Sequence, residues 1–271
     1  MQALFETLFI QPIINTLALF LWFFSLLKIP GAFGFSIIAL TVFIRLLLHP
    51  FFKQQLETAK KMQDIKPHLD KLSVKHKKDP KKLQEEQMNL YKSVGLNPAS
   101  GCLFMIIQIP VFIGLYQTLN DVLLKGSAEI IKINKLLYTP FLRVSSLDPH
   151  FFGLNLAVTP AKGGHWLYYL IPVITAALQY FQVQVSTPQT NTVTSAVEER
   201  SGKTAEVKKN DSGDFQKAMN TQMKYFFPLM IGWFSFNLPT GLALYWNIFS
   251  LFSIVQARNL KGQNLNVKST S

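Results

Sequence analysis

The sequence predicts an all-α membrane protein with a five-span helical core, an N-terminal interfacial helix and a cytoplasmic helical hairpin. Charged residues make up only 15% of the 271 residues, and apolar residues make up 49%, whereas about 25% of the residues in a soluble domain are charged. Several charge-poor stretches reach the roughly 17 to 25 residues that a membrane-spanning helix needs. The 27 Lys and Arg exceed the 15 Asp and Glu and cluster in alternate connections, as cytoplasmic loops of membrane proteins do.

Residues 1–32 are predicted to form a helix on the extracytoplasmic membrane surface. Their longest apolar run, Leu17 to Leu27, has 11 residues, which is too short to cross a bilayer. Asn15 belongs to a partial polar face, and Trp22 suits the headgroup boundary. The alternative is a sixth span that begins near Leu8.

Five stretches are predicted to cross the membrane. The first contains one charged residue, Arg45, and the second and third contain none. The segment Asn237-Leu-Pro-Thr-Gly241 divides the last charge-poor stretch into two spans, because Pro ends a helix and Gly permits a reversal. The predicted spans are residues 33–52, 98–120, 166–186, 222–238 and 239–257.

The connections between the spans predict the orientation of the chain. Those assigned to the cytoplasm carry 20 Lys and Arg when Lys224, at the start of the fourth span, is counted with them, against 6 on the opposite side. The N-terminus is therefore expected outside and the C-terminus in the cytoplasm. Topology therefore accounts for the basic charge, and no nucleic-acid partner is expected. The connections are 53–97, a Lys-rich cytoplasmic helical hairpin; 121–165, an extracytoplasmic connection with short surface helices; 187–221, a disordered cytoplasmic connection; and 258–271, a cytoplasmic tail.

The hairpin is predicted from two runs of apolar residues at helical spacing, which Asp79-Pro80 divides. Asp at an N-cap followed by Pro is a typical helix start. Two interpretations of its charge remain: solvated faces that only fix topology, or a docking arm for an incoming chain or a membrane-delivery partner. The docking candidates are Lys60, Lys61, Lys71, Lys75, Lys77 and Lys78.

No enzymatic chemistry is predicted. The single Cys and five scattered His give no metal-ligand spacing, so neither a catalytic residue, a metal nor a cofactor is expected. Ser201-Gly202-Lys203-Thr204 imitates the end of a phosphate-binding loop, but Val197 stands where that loop requires Gly.

Arg45 is the most informative residue. A charge in mid-span costs about 2.5–3.5 kcal/mol on insertion scales, so its presence there favours a functional role. No Asp or Glu lies within any predicted span to neutralise it. Thr41 and His49 lie one turn away on the same helix face, and an interfacial position beside Pro50 is the preferred interpretation of His49.

Polar residues on other spans complete a candidate site. The third span carries Thr175, Gln179, Gln182 and Ser186 within roughly 60° of arc. Each polar residue alone is typical of contacts between membrane helices, at about 0.6 kcal/mol each. Together with an unpaired Arg they favour a hydrated, positively charged groove that opens to the cytoplasm and accepts acidic peptide. The candidate groove residues are Thr41, Arg45, Gln108, Thr175, Gln179, Gln182, Asn247 and Ser250, with Ser253 further along the fifth span.

Several ordered motifs resemble a known family. They are Gly34-Phe-Ser-Ile-Ile followed by Arg45 and Pro50, the Lys-rich hairpin, Gly95-Leu-Asn-Pro-Ala-Ser-Gly-Cys102, Gln108-Ile-Pro110, Pro172 with Gln182, and Asn237-Leu-Pro-Thr-Gly-Leu-Ala-Leu-Tyr-Trp246. From about Phe5 to Asn259 the chain resembles YidC-type membrane protein insertases of the YidC/Oxa superfamily, in a bacterial form without a large extracytoplasmic domain.

The resemblance implies a non-enzymatic insertase and chaperone in the plasma membrane of a bacterium. In the family the groove Arg attracts acidic residues of the outward-going segment of a nascent membrane protein, alone or beside the Sec translocon. Matching motifs carry this role to Arg45, the groove Gln roles to Gln108 and Gln182, and the last-span aromatic role to Trp246. Membrane lipid, the ribosome and the signal-recognition-particle receptor are further candidate partners. The tail holds only Arg258, Lys261 and Lys268, so a strong ribosome-binding tail is not expected.

Two alternatives belong to other function classes. A solute or ion-coupled transporter would use Arg45 as an anion site, but transporters usually show intramembrane carboxylates and an internal repeat, and the sequence shows neither. A chaperone-like scaffold would assist the assembly of other membrane proteins without moving any segment across the bilayer, and it is compatible with the insertase interpretation.

Overall fold

The computed structural model describes residues 2–76, 79–96, 109–120, 127–144, 147–186 and 222–269. Helix α1 runs without a break through Gln2–Phe5, a π-helical turn at Glu6–Ile10 and Gln11–Leu26. The other helices are α2 (Ala32–Leu47), α3 (His49–Lys75), α4 (Pro80–Ser93), α5 (described over 109–120), α6 (Ser127–Leu136), α7 (Trp166–Ser186), α8 (a π-helical turn at Gln222–Phe226 followed by Phe227–Asn237) and α9 (Thr240–Ser269). Two short strands, β1 (His150–Phe151) and β2 (Leu154–Asn155), lie between α6 and α7.

Helix α9 lies at the centre of the bundle, where it packs against α2 and α7. Helix α8 packs on the far side of α7, and α1 packs along α2. The largest apolar cluster joins α1, α2, α5 and α9 through side chains that are almost fully buried, among them Leu17, Ile37, Leu40, Leu115, Leu119, Leu242 and Tyr245. This helical architecture confirms the predicted all-α membrane class.

Among the described residues, two helical segments are long and apolar enough to cross a membrane by length and composition, namely Glu6–Leu26 and Thr240–Asn259. The pair Ala32–Leu47 and His49–Lys75 gives a third candidate if the two bent helices are counted as one span. Helix α1 is thus longer than the 11-residue apolar run suggested, because helical structure extends through the flanking residues Glu6 to Thr16.

Asn15 does not form the water-facing polar stripe that the sequence predicts for α1. Its side chain is buried, and its Nδ2 donates to the carbonyl of Leu136 at 3.0 Å while its Oδ1 accepts from the Tyr138 amide at 2.7 Å. A helix leaves its last carbonyls without internal partners, and Asn15 satisfies one of them at the end of α6. The residue therefore joins α1 to the connection that follows α5.

The chain bends by 66° between α2 and α3. Helix α2 ends at Leu47 and α3 begins at His49, so the last residues that the sequence assigns to the first span belong to the following helix. Pro50 lies in the first turn of α3, where its missing N–H costs no helical hydrogen bond. The bend turns Phe52 back onto the bundle, where its ring is buried.

Helices α3 and α4 form the predicted hairpin and pack on each other. Asp79 is the N-cap of α4, because its Oδ1 accepts from the Lys82 amide at 3.1 Å, and Pro80 is the first helical residue as predicted. Only Phe52 and Ile65 are buried in α3, and none of the residues of α4 is. The hairpin therefore contacts the bundle mainly through the first turns of α3.

The connection before α7 contains a β-hairpin that the prediction of short helices missed. Strands β1 and β2 pair in antiparallel register, with Phe151 opposite Leu154, and Phe152 and Gly153 both adopt positive φ in the turn. Phe151 packs so closely on α2 that a Cβ at Gly34 would overlap its ring. Carbonyls that follow β2 accept from the amides of Thr240 and Gly241 at 3.0 and 2.9 Å, which satisfies two donors at the start of α9.

We expect Asn15→Leu to destabilise the fold by about 2 kcal/mol, because the Leu136 carbonyl and the Tyr138 amide lose a buried partner. The thermal unfolding midpoint in detergent micelles measures this. Thr16→Val is the matched control, because Thr16 bonds only the Pro12 carbonyl of its own helix. Equal midpoints for the two variants would contradict the assigned role of Asn15.

Candidate functional site

Arg45 points into the bundle from α2 and is only 2% exposed. Its Nη2 donates to the Phe249 carbonyl at 2.8 Å and also to Ser253 Oγ. Both acceptors lie on α9. In the part of the chain that the structure describes, no carboxylate lies within ion-pairing distance of the guanidinium. Its charge is therefore compensated only by dipoles and by aromatic rings.

Two aromatic rings enclose the guanidinium of Arg45. Its Cζ lies 4.0 Å from the ring centroid of Phe52 and 3.6 Å from that of Phe249, and the two rings meet edge to face, 6.2 Å apart. A cation within about 6 Å of an aromatic face is attracted by the ring quadrupole. We call Phe52 and Phe249 the ring pair. The ring pair covers part of the guanidinium with aromatic carbon.

Helix α9 carries a polar stripe with one residue at every third position. Ser250 Oγ accepts from Gln179 Nε2 of α7 at 3.2 Å, and Ser253 accepts from Arg45 of α2. Gln256 Nε2 lies 2.8 Å from His49 Nδ1 at the start of α3. The stripe thus joins α9 to three different helices through side-chain hydrogen bonds.

The candidate residues of α7 face the interior, as their spacing predicts. Thr175 is fully buried and Gln179 almost so. Thr175 Oγ1 donates to the Ile171 carbonyl at 2.8 Å and lies 3.4 Å from Ser235 Oγ of α8. Gln182 is half-buried. The face therefore contacts both α8 and α9.

Two candidate amides keep a buried oxygen without a partner among the described residues. These are Gln182 Oε1 on α7 and Asn247 Oδ1 on α9, and Arg45 Nε is a buried donor in the same condition. Most buried polar groups in proteins are hydrogen-bonded. The unmatched atoms therefore mark the α2–α7–α9 interior as a place that can still accept polar partners.

The remaining candidates occupy different surroundings. Trp246 is half-buried on α9 and stacks on Phe112 of α5, with ring centroids 5.2 Å apart. Thr41 is buried, but its Oγ1 donates to the Ile37 carbonyl of its own helix at 2.6 Å. Gln108 lies outside the described residues. So do Lys77 and Lys78, whereas Lys60, Lys61, Lys71 and Lys75 are exposed on α3.

Sequence reasoning missed the ring pair and Gln256. Phe52 and Phe249 are 2 of 23 Phe residues, and nothing in their spacing distinguishes them from lipid-facing rings. Gln256 could have been found, since it continues the three-residue spacing of Ser250 and Ser253. His49 is exposed, which agrees with its expected interfacial position, but its bond to Gln256 also joins it to the stripe.

A profile of the 60Kd inner membrane protein family matches residues 22–266 of this chain. That match covers most of its length, and it includes α2, α9 and the residues around Arg45. The chain belongs to this family.

This chain is similar to proteins of chloroplasts and of bacteria. It is 34% identical over 253 residues to the inner membrane ALBINO3-like protein 2, chloroplastic, of Chlamydomonas reinhardtii, covering 90% of this chain and 51% of that protein. It is 31% identical over 253 residues to the membrane protein insertase YidC of Wolinella succinogenes, covering 93% of this chain and 37% of the relative. It is 30% identical over 257 residues to the inner membrane protein ALBINO3, chloroplastic, of Arabidopsis thaliana, covering 90% and 50%. The chain thus spans about half or less of the length of these relatives.

The family assignment agrees with the resemblance drawn from the sequence motifs. The family consists of membrane proteins, and the names of these relatives describe one membrane protein insertase and two inner membrane proteins. None of these names describes a transporter, so the transporter alternative gains no support.

Replacing Arg45 should not weaken the fold of this family member. In Arg45→Met, Ser253 Oγ keeps its own bond to the Phe249 carbonyl at 2.9 Å, so no polar partner is orphaned. Burying a charge without a counter-ion costs free energy that an apolar side chain does not. We expect an unchanged or higher unfolding midpoint in detergent. Phe249→Ala, which empties a packed position, should lose about 3–5 kcal/mol. A large loss in Arg45→Met would show that the guanidinium is a structural group.

Proposed function

We propose that this chain inserts other membrane proteins into the lipid bilayer and assists their folding. The observation that carries the proposal is the position of Arg45, a buried cation without a carboxylate partner in the described structure. A membrane protein retains such a charge at a cost, and the fold does not need it as an ion-pair anchor. An acidic segment that enters the bundle can supply the missing partner.

The polar interior lowers the barrier for that segment. A carboxylate that meets the guanidinium forms a charge-assisted hydrogen bond, which is roughly twice as strong as a neutral one. Backbone groups of the segment find partners in the buried amides of Gln182 and Asn247, which have unmatched oxygens. A peptide held in this way is partly desolvated before its apolar part reaches lipid. We assign the substrate role to the candidate groove residues on this basis, including Trp246, which lies beside α5.

The proposed location is the plasma membrane of a bacterium, with the N-terminus outside and the C-terminus in the cytoplasm. The asymmetric distribution of Lys and Arg supports this orientation. Helix α1 is proposed to lie at the outer membrane surface, since Asn15 and Trp22 both contact the connection that follows α5. The proposed substrates are nascent membrane proteins with acidic outward-going segments, and the Sec translocon is the proposed partner for larger ones.

The hairpin α3–α4 is proposed as the docking arm for an incoming chain. Its exposed Lys residues and its few contacts with the bundle support this role. The ribosome and the signal-recognition-particle receptor are the proposed delivery partners. Because surface charge acts over about 8–10 Å at physiological salt, the arm would capture its partner by electrostatic attraction.

The insertase proposal is tested in protein-free liposomes with a small single-spanning substrate that has an acidic N-terminal tail. Protease protection of the tail measures insertion. We expect insertion by the wild type and by Arg45→Lys, and a loss of at least tenfold in Arg45→Met, because a positive charge must meet the acidic tail. A substrate whose tail acids are replaced by Gln or Asn should lose most of this dependence on Arg45.

Phe43→Ala is the control, since Phe43 is an exposed residue of the same helix. No protection above that of empty liposomes with the wild type would reject independent insertase activity. An active Arg45→Met variant would reject the role of the charge.

The docking arm is tested by the binding of ribosomes that carry a nascent membrane segment to nanodiscs of this chain. We expect Lys60→Gln with Lys61→Gln to weaken binding severalfold at low salt and to reduce its salt dependence. The matched control is Lys135→Gln with Lys162→Gln, two exposed Lys of the connection between α5 and α7. Equal binding by both double variants would support the alternative that the hairpin charges only fix topology.

A further inference from the structure

The ring pair closes the site in this structure. Arg45 is 2% exposed, and the rings of Phe52 and Phe249 lie 4.0 and 3.6 Å from its Cζ. A carboxylate cannot reach a guanidinium that is enclosed in this way. An acidic group that approaches Arg45 from the side of the ring pair can reach it only if one of the two rings moves.

The two rings differ in what holds them. Phe249 belongs to α9, which packs against α2 and α7. The Phe249 carbonyl also accepts a hydrogen bond from Arg45. Phe52 belongs to the first turn of α3, beyond the 66° bend. Its helix continues as the hairpin, in which Ile65 is the other buried residue of α3 and α4 has none. Phe52 is thus attached to the element with fewer contacts to the bundle.

A side-chain hydrogen bond ties the start of that element to α9. It joins His49 and Gln256, with 2.8 Å between the nitrogens, and lies one helical turn from Arg45. A tilt of the hairpin about the bend at Leu48 changes this bond and the contacts of Phe52 with Arg45 and Phe249. A tilt of the hairpin therefore displaces the Phe52 ring, which lies in the first turn after the bend.

We propose that Phe52 is a lid on Arg45 and that movement of the hairpin about the bend at Leu48 opens it. The role of this lid rests on the proposed function. When a partner occupies the docking arm, the open lid would expose Arg45 to the acidic segment that the partner delivers. The lid itself is a property of the chain alone. Its opening can be measured without any substrate.

The experiment uses the full chain in nanodiscs with Cys102→Ser and a reporter cysteine, Ser253→Cys. Ser253 is 7% exposed and contacts Arg45, so its alkylation by a charged, water-soluble methanethiosulfonate measures access to the cation. We expect Phe52→Ala to raise the labelling rate at least tenfold. Phe51→Ala is the matched control, because Phe51 is the exposed neighbour on the same helix turn, and its rate should stay within twofold of the background chain.

A second variant keeps both rings and tests the hinge. Gln256→Leu removes the bond to His49, and we expect it to raise labelling at least threefold. An unfolding midpoint within a few degrees of the background chain shows that each variant is folded. If Phe52→Ala loses the fold, Phe52→Leu replaces it, with the same direction of change expected.

Labelling in Phe52→Ala at the background rate would overturn the lid, and labelling in Gln256→Leu at the background rate would overturn the hinge. Both labelling rates are measured independently of insertase activity. A chain that fails to insert substrate in liposomes can still show the lid, and an active insertase can still lack it.

Discussion

A guanidinium buried inside a membrane-protein helix bundle is the constraint around which the polar interior of this protein is arranged. An isolated charge cannot be buried without partners, and α2 has none to offer Arg45 from its own backbone. The partners come from α9, through the Phe249 carbonyl and Ser253, and from the faces of two aromatic rings. Apolar packing holds α9 against α2, and this position brings the polar and aromatic partners of the cation next to it.

Helix α9 meets this need because one of its faces is polar and the rest is apolar. Ser250, Ser253 and Gln256 each bond a different helix, while Leu242 and Tyr245 are buried in the apolar cluster. At its start, carbonyls of the connection after β2 accept from its first amides. A central helix fixed at its start and along its length gives a frame against which α3 can move. The movement that we propose for the hairpin is relative to this frame.

Much of the polar interior follows from the sequence. The four-residue spacing of Thr41 and Arg45 places them on one helix face. The polar stripe of α7 predicts that Thr175 and Gln179 face inward, and the structure buries them. The cap at Asp79 was predicted from two adjacent residues and is confirmed. These features depend on local spacing along one helix. Local spacing is what a single sequence reports.

Other features depend on contacts between distant residues, and no spacing along the chain encodes them. Asn15 looked like part of a wetted face, but it bonds residues more than a hundred positions away. The β-hairpin before α7 was missed because two-residue strands leave too short a pattern to recognise. In the sequence, Phe52 cannot be distinguished from a lipid-facing ring, and it is the bend at Leu48 that places it against Arg45. Composition, local residue spacing and helical periodicity are enough to predict the membrane class, the hairpin cap and the polar faces. Only the tertiary structure decided which ring closes on the charge, because that choice depends on the angle between two helices.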